Sequence, residues 1–212
     1  MKFPLLPVVI GCGMVLMLAL ILTPNQTEGL KELPAFSKVL TGGDTITARQ
    51  YNSIMNMRYP YAQLSDSTTQ ACAAAGAASN ILLNTNDSVY HITHSTSSNT
   101  HLITIQESGI YQIITAPQVG EATVQASGVH NFWMLKNSVA VANSNIKTSV
   151  MQQVSGSETM VGVLNWVGRL ESGDSISFAQ SCTDADIGLI FTASTAVEPA
   201  TPSVIVSIAR IN

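Results

Sequence analysis

The sequence predicts an all-β, antiparallel sandwich over most of its length, and three observations carry that prediction. From about residue 81 onward, apolar and polar residues alternate with period two in short runs: "SVYHIT", "HLITI", "GIYQIIT", "EATVQA", "HNFWML", "SVAVA", "MVGVLNWVGRL", "DSISFAQ", "IGLIFTA" and "SVIVSIARI". Gly, Pro, Asn and Asp break these runs at intervals of about ten residues, and no long stretch among them holds a helical period. Strands of that length and spacing indicate a sandwich or barrel of about eight to ten strands.

The elements before the sandwich differ in kind. The twenty residues from Phe3 to Leu22, "FPLLPVVIGCGMVLMLALIL", carry no charge, and a helix of that length spans about 30 Å, the hydrocarbon thickness of a bilayer. Phe3, Leu5, Val8, Ile10, Val15, Leu18 and Leu22 are therefore expected to form a single-pass, N-terminal membrane anchor within residues 1–23. Pro4 and Pro7 fall in the first turns, where proline costs least, and Lys2 can snorkel to the headgroups. A cleaved signal peptide is the competing reading. It is disfavoured by an n-region with a single lysine and by "LILTPNQ", which lacks a small-x-small site.

Residues 24–80 read as a connector. Pro24, Gly29, Pro34, Gly42 and Gly43 punctuate its first part. In "DTITARQYNSIMNMRY", Thr47 with Gln50 makes a capping box and Ile46 with Tyr51 a hydrophobic staple, so a short helix is expected near 48–57. Residues 62–80 are small and polar without steady periodicity, which reads as linker, and the compact domain is placed at 81–212.

Within that domain, "HNFWMLKNSVAVANS" is a hairpin. Phe132 and Met134 alternate with Trp133 and Leu135, and Asn137 tolerates the left-handed conformation that a turn at "KNS" needs. "LESGDSI" is a second turn, with Gly173 in an unusual backbone conformation and Asp174 bonding the local backbone. Tyr111, Trp133 and Trp166 lie in alternating strands, which assigns them to core or inter-subunit packing.

Composition excludes several functions. Only 10% of residues are Asp, Glu, Lys or Arg, against about 25% in an average soluble domain. The formal net charge is −4 and the nine basic residues are scattered, so no nucleic-acid partner is expected. The chain has no G-x-S-x-G elbow, P-loop or H-E-x-x-H, and is read as non-enzymatic, with no cofactor.

No metal site is expected either. The histidines are His91, His94, His101 and His130, and "HITH" places two of them three apart, on opposite faces of a strand. Asp184 and Asp186 lack the further oxygen ligands of a calcium loop. Cys12 lies in the apolar run, which leaves Cys72 and Cys182 as the pair that could be bonded; two free buried thiols fit the sequence equally well. Asn25 and Asn86 head glycosylation sequons.

The order of "SGIYQI", "FWMLKNSVAVANS", "RLESGDSISF" and "PSVIVSIARI" resembles the jelly-roll domains of virus and phage structural proteins. Those are in turn similar to the trimeric globular heads of the tumour-necrosis-factor and complement superfamily. The upstream "GDTITARQYNSI" resembles a segment that often precedes such domains in phage structural proteins. The resemblance implies a jelly roll, a homotrimer, and large aromatics that help close its three-fold interface. It departs from the pattern at Asn137-Ser138, where Asn-Gly is usual, and in the membrane anchor, which tailed-phage fibres lack.

Together these readings imply a minor capsid or spike protein of a membrane-containing virus, whose partners are the lipid bilayer, other virion proteins and, for a spike, a host receptor. The alternative is a membrane-tethered trimeric cell-surface module that binds a protein or glycan.

Overall fold

The computed structural model describes residues 59–123, 125–152 and 159–212. The anchor of residues 1–23 and the short helix near 48–57 lie outside the described residues.

Fifteen strands follow one another: β1 (Tyr61–Asp66), β2 (Gln70–Ala71), β3 (Ala78–Asn80), β4 (Thr85–Tyr90), β5 (Ile92–His94), β6 (Ile103–Ile105), β7 (Gly109–Glu121) and β8 (Gly128–Lys136), then β9 (Val139–Ala140), β10 (Ile146–Val150), β11 (Thr159–Val161), β12 (Leu164–Leu170), β13 (Ser175–Cys182), β14 (Ile187–Leu189) and β15 (Val204–Arg210). Over the described residues the fold is all-β, with fifteen strands in two antiparallel sheets. That exceeds the expected eight to ten because seven of the strands are three residues or shorter. Such short pairings leave too little alternation to be read from sequence.

An eight-stranded sheet runs β2-β14-β7-β15-β1-β4, with β11 and β12 on the other edge of β7. A seven-stranded sheet runs β10-β8-β13-β6-β5, with β3 on β13 and β9 on β8. Their facing sides bury Leu64, Tyr111, Ile113, Val206 and Ile208 from one sheet, and Ile103, Ile105, Phe132, Met134, Ile176 and Phe178 from the other. Phe132 and Phe178 stack at 5.5 Å between ring centroids. Each such side chain contributes about 1.5–3 kcal/mol by leaving water, so the inward face of each strand sets which way it turns.

The compact unit begins at Tyr59, earlier than the expected boundary at residue 81. Residues 62–80, read as linker, instead supply most of β1 together with β2 and β3. β1 lies inside the sheet, with β15 on one side and β4 on the other. Its sequence "YAQLSD" offers only Ala62 and Leu64 as inward apolar residues. The backbone ladders on both edges, more than its side chains, make it a strand.

β7 contains Pro117, which has no N–H to give to a ladder. Its carbonyl accepts from Gly162 N (3.2 Å), and the next residue's N–H, on Gln118, donates to Ser203 O (2.8 Å) on the opposite edge. The proline nitrogen therefore faces the gap between β11 and β12, where pairing with β7 lapses after Thr115 and resumes at Gln118. A missing donor sits where a donor has no partner to meet.

The two predicted turns interlock. Asn137 and Ser138 have φ of 50° and 64° and close the β8–β9 hairpin, while Gly173 has φ of 92°, a region that favours glycine. Asp174 joins the turns: its Oδ1 accepts from Asn137 Nδ2 (2.7 Å) and its Oδ2 from Glu171 N (2.7 Å). The Lys136 ammonium also lies 2.7 Å from Oδ2, and Ser175 N donates to Asn137 Oδ1 (2.8 Å). Burial pushes the Asp174 carboxyl up, but these donors outweigh it and hold the group below the usual carboxylate range.

Asp174→Asn is expected to lower unfolding stability by roughly 1–2 kcal/mol, with the Lys136 pairing screened at the surface. Because the folded carboxyl is more acidic than the unfolded one, its contribution is present above the ordinary carboxylate range and is lost as pH falls through the folded value. Urea unfolding across acidic pH should show a steeper acid-side loss in the wild type than in the variant.

Candidate functional site

The described part of the chain holds two places where side chains with chemical or binding capacity collect. One is a buried centre at one end of the sandwich, and the other is the outer face of the larger sheet.

The buried centre is built by three strands. Cys72 follows β2, whose partner β14 belongs to the larger sheet, and Cys182 ends β13 in the smaller one. The two are joined in a disulfide with Cα atoms 6.0 Å apart, so the bridge ties the two sheets. His130 on β8 stands directly opposite Cys182 in the register. Cys72, His130 and Cys182 are all buried, and their ligating atoms lie within 4.8 Å of one another. Gln180, two residues before Cys182, completes the set: His130 Nε2 meets Gln180 Oε1 at 2.9 Å, and Gln180 Nε2 donates to Gln70 O at 3.2 Å. Burial pushes the His130 imidazole below its ordinary range, and the bond to Gln180 offsets this only in part.

The sequence raises Cys72 and Cys182 as a pair, open between bonded and free, and places His130 among polar strand and loop positions. No local spacing joins the three. The useful signal would have been His130 on the inward side of β8, in phase with Phe132 and Met134.

His91 and His94 are occupied separately. His91 sits at φ 50° between β4 and β5, so the strand breaks at His91 itself, and Ile92–His94 is continuous strand. Its Nδ1 contacts Glu107 Oε1, while Glu107 Oε2 accepts from Arg210 Nη1 at 3.0 Å. His94 lies between Asn86 Oδ1 (2.6 Å) and Thr100 O (2.9 Å). The Asn86 amide also donates to His94 O (3.3 Å), so the sequon asparagine is part of this contact. Asp184 Oδ1 accepts from Asp186 N (3.0 Å), a local turn.

Of the three aromatics, Tyr111 is fully buried and donates from its hydroxyl to Glu107 O (2.7 Å); burial pushes its phenol up. Trp166 is half-buried against the core, its ring over Gly168, where a Cβ would collide with it. Trp133 is half-buried on the outward side of β8, opposite Ala179. Phe3, Leu5, Val8, Ile10, Val15, Leu18 and Leu22 lie outside the described residues.

The outer face of the larger sheet follows from the same alternation. Its outward residues are Tyr61 and Gln63 on β1, Ile110, Gln112, Ile114 and Ala116 on β7, Asn165, Val167 and Arg169 on β12, and Ile205, Ser207 and Ala209 on β15. Arg169, at one end of β12, is the single charge among them. Val167 is 54% exposed and Ile114 38%. Met160, Val161 and Val163 continue an apolar margin beside it. Sequence alternation marks these positions as outward, but only the strand order shows that they form one surface.

His130→Gln tests the electrostatics of the buried centre. The folded imidazole resists protonation more than the unfolded one, so the unfolded chain binds the extra proton first and wild-type stability falls as pH drops below the ordinary imidazole range. Denaturant midpoints measured from neutrality down to about pH 5 should fall more steeply for the wild type than for the variant.

Neither a known family model nor a curated protein sequence matches this chain.

Proposed function

We propose that the chain is a non-catalytic structural protein of a membrane-containing virus, a minor capsid or spike component. Residues 1–23 anchor it in the lipid bilayer and the sandwich is a jelly-roll head that contacts other virion proteins. The observation that carries this reading is the sparsely charged outer face formed by β1, β7, β12 and β15, where Arg169 is the one charge among the outward residues. Solvent-facing sheets ordinarily carry charge, and a contiguous face of Ile, Val, Tyr and small polar residues is suited to protein contact.

Two further observations support it. Among the described strands the chain crosses between sheets eight times, at β2 to β3, β3 to β4, β4 to β5, β6 to β7, β7 to β8, β10 to β11, β12 to β13 and β13 to β14, an interleaving in keeping with a jelly roll. Around a three-fold axis like residues approach like residues, and a face whose outward charge on β1, β7, β12 and β15 is confined to Arg169, paired with Glu171 at the end of β12, brings little like-charge repulsion there. A homotrimer built on this face is therefore part of the proposal. A spike of this form has a host receptor as a further partner.

Two measurements test it. Val167→Glu in the full-length chain should shift the sedimenting species from trimer to a folded monomer, because Val167 is 54% exposed and outside the core, with the thermal midpoint falling only by the lost contribution of assembly; an unchanged trimer removes this face as the interface. Mass spectrometry of density-purified, genome-containing particles, before and after detergent stripping, should find the chain at many copies and partly lost with lipid. Recovery with host-cell membranes and absence from particles would instead favour a membrane-tethered binding module.

A further inference from the structure

The disulfide at the end of the sandwich has a neighbour that a purely structural bridge does not need. His130 is buried to 1% beside it and is held in place by Gln180, itself 1% exposed. Gln180 Nε2 is committed to Gln70 O, so Gln180 presents its oxygen to the histidine. Nε2 of His130 must then be the donor, which leaves the lone pair on Nδ1. An amide or carboxylate that fixes the tautomer of a neighbouring imidazole is the usual support of a metal-binding histidine.

We infer that, once its disulfide is reduced, the chain binds one Zn²⁺ through the thiolates of Cys72 and Cys182 and the imidazole of His130, with a water molecule as the fourth ligand. Three features fit this ion. A ring nitrogen of His130 and the two sulfurs already lie within 4.8 Å of one another. Tetrahedral zinc–thiolate bonds of about 2.3 Å place two sulfurs about 3.8 Å apart, so the sulfurs need only rotate away from each other on backbones whose Cα atoms stay 6.0 Å apart. Two thiolates cancel the charge of Zn²⁺, and a neutral complex is the form that a buried site tolerates. Cu⁺ on the same ligands would leave a net negative charge buried.

The chemistry balances without the protein supplying electrons. An external dithiol gives two electrons and two protons to the Cys72–Cys182 bond, becomes a disulfide itself, and leaves two thiols. Zn²⁺ then displaces both thiol protons to solvent, while neutral His130 adds its lone pair and loses none. The same end of the sandwich is closed by zinc in a reducing compartment and by the disulfide in an oxidising one.

The test uses the full-length chain in mild detergent, carrying Cys12→Ser so that two thiols remain. A water-soluble phosphine reduces the bridge, taking an oxygen from water to become its oxide, and is removed under nitrogen before titration with Co²⁺ alone. Expected are one Co²⁺ per chain, a thiolate-to-cobalt charge-transfer band and the strong visible bands of tetrahedral cobalt, all abolished by equimolar Zn²⁺ and absent from the oxidised chain. His130→Gln keeps both thiols and should weaken Co²⁺ binding at least about tenfold. Reduced chain without these bands, or wild-type affinity in His130→Gln, overturns the inference. Should that variant not fold, zinc-edge absorption on the reduced, zinc-loaded chain decides: two sulfurs and an imidazole nitrogen uphold it, and any first shell without imidazole overturns it.

Discussion

The pairing of β7 along both edges is the constraint on which the larger sheet depends. Over Gly109–Thr115 it is flanked by β12, and from Tyr111 to Pro117 its other edge carries β15. Beyond Pro117 the partners change to β11 and β14. A thirteen-residue strand with partners along both edges has no freedom to slip, because a shift of one residue would turn Tyr111 and Ile113 out of the core and Gln112 and Ile114 into it. Pro117 is tolerated because its missing donor coincides with the change of partners on one edge. β15 then carries β1, and β1 carries β4, so the order of the sheet radiates from this strand.

The functional reading depends on that rigidity in two ways. The outer face can be one sparsely charged surface only because β1, β7, β12 and β15 hold their register side by side. The cysteine–histidine centre can exist only because β2 and β14, held on the far part of β7, bring Cys72 over the end of β13. Local chemistry at either place is ordinary: small polar and aliphatic residues at one, two thiols and an imidazole at the other. Position supplies the rest.

Local rules explain why some elements were legible. The "KNS" hairpin and the "LESGDSI" turn were readable because left-handed φ values at Asn137 and Gly173, and a backbone-bonding carboxylate at Asp174, follow from short-range sterics and hydrogen bonding. That the two turns clasp each other through Asp174 and Asn137 was not readable, since residues more than thirty positions apart meet only when β8 and β13 pair. Facing rules alone would have allowed His91 and His94 to converge if the strand broke, and it does break, yet each ring is taken by a different partner.

The sequence by itself determined the all-β class and which face of each long strand turns inward, because period-two alternation records the side on which water is excluded. It also determined the two tight turns, whose causes lie within a few residues. Tertiary structure alone decided that residues 61–66 form an internal strand, that Cys72, His130 and Cys182 share one buried centre, and that the outward residues of β1, β7, β12 and β15 make one surface. Alternation says which side of a strand is buried but not which strand lies beside it, and these three features are all consequences of neighbours.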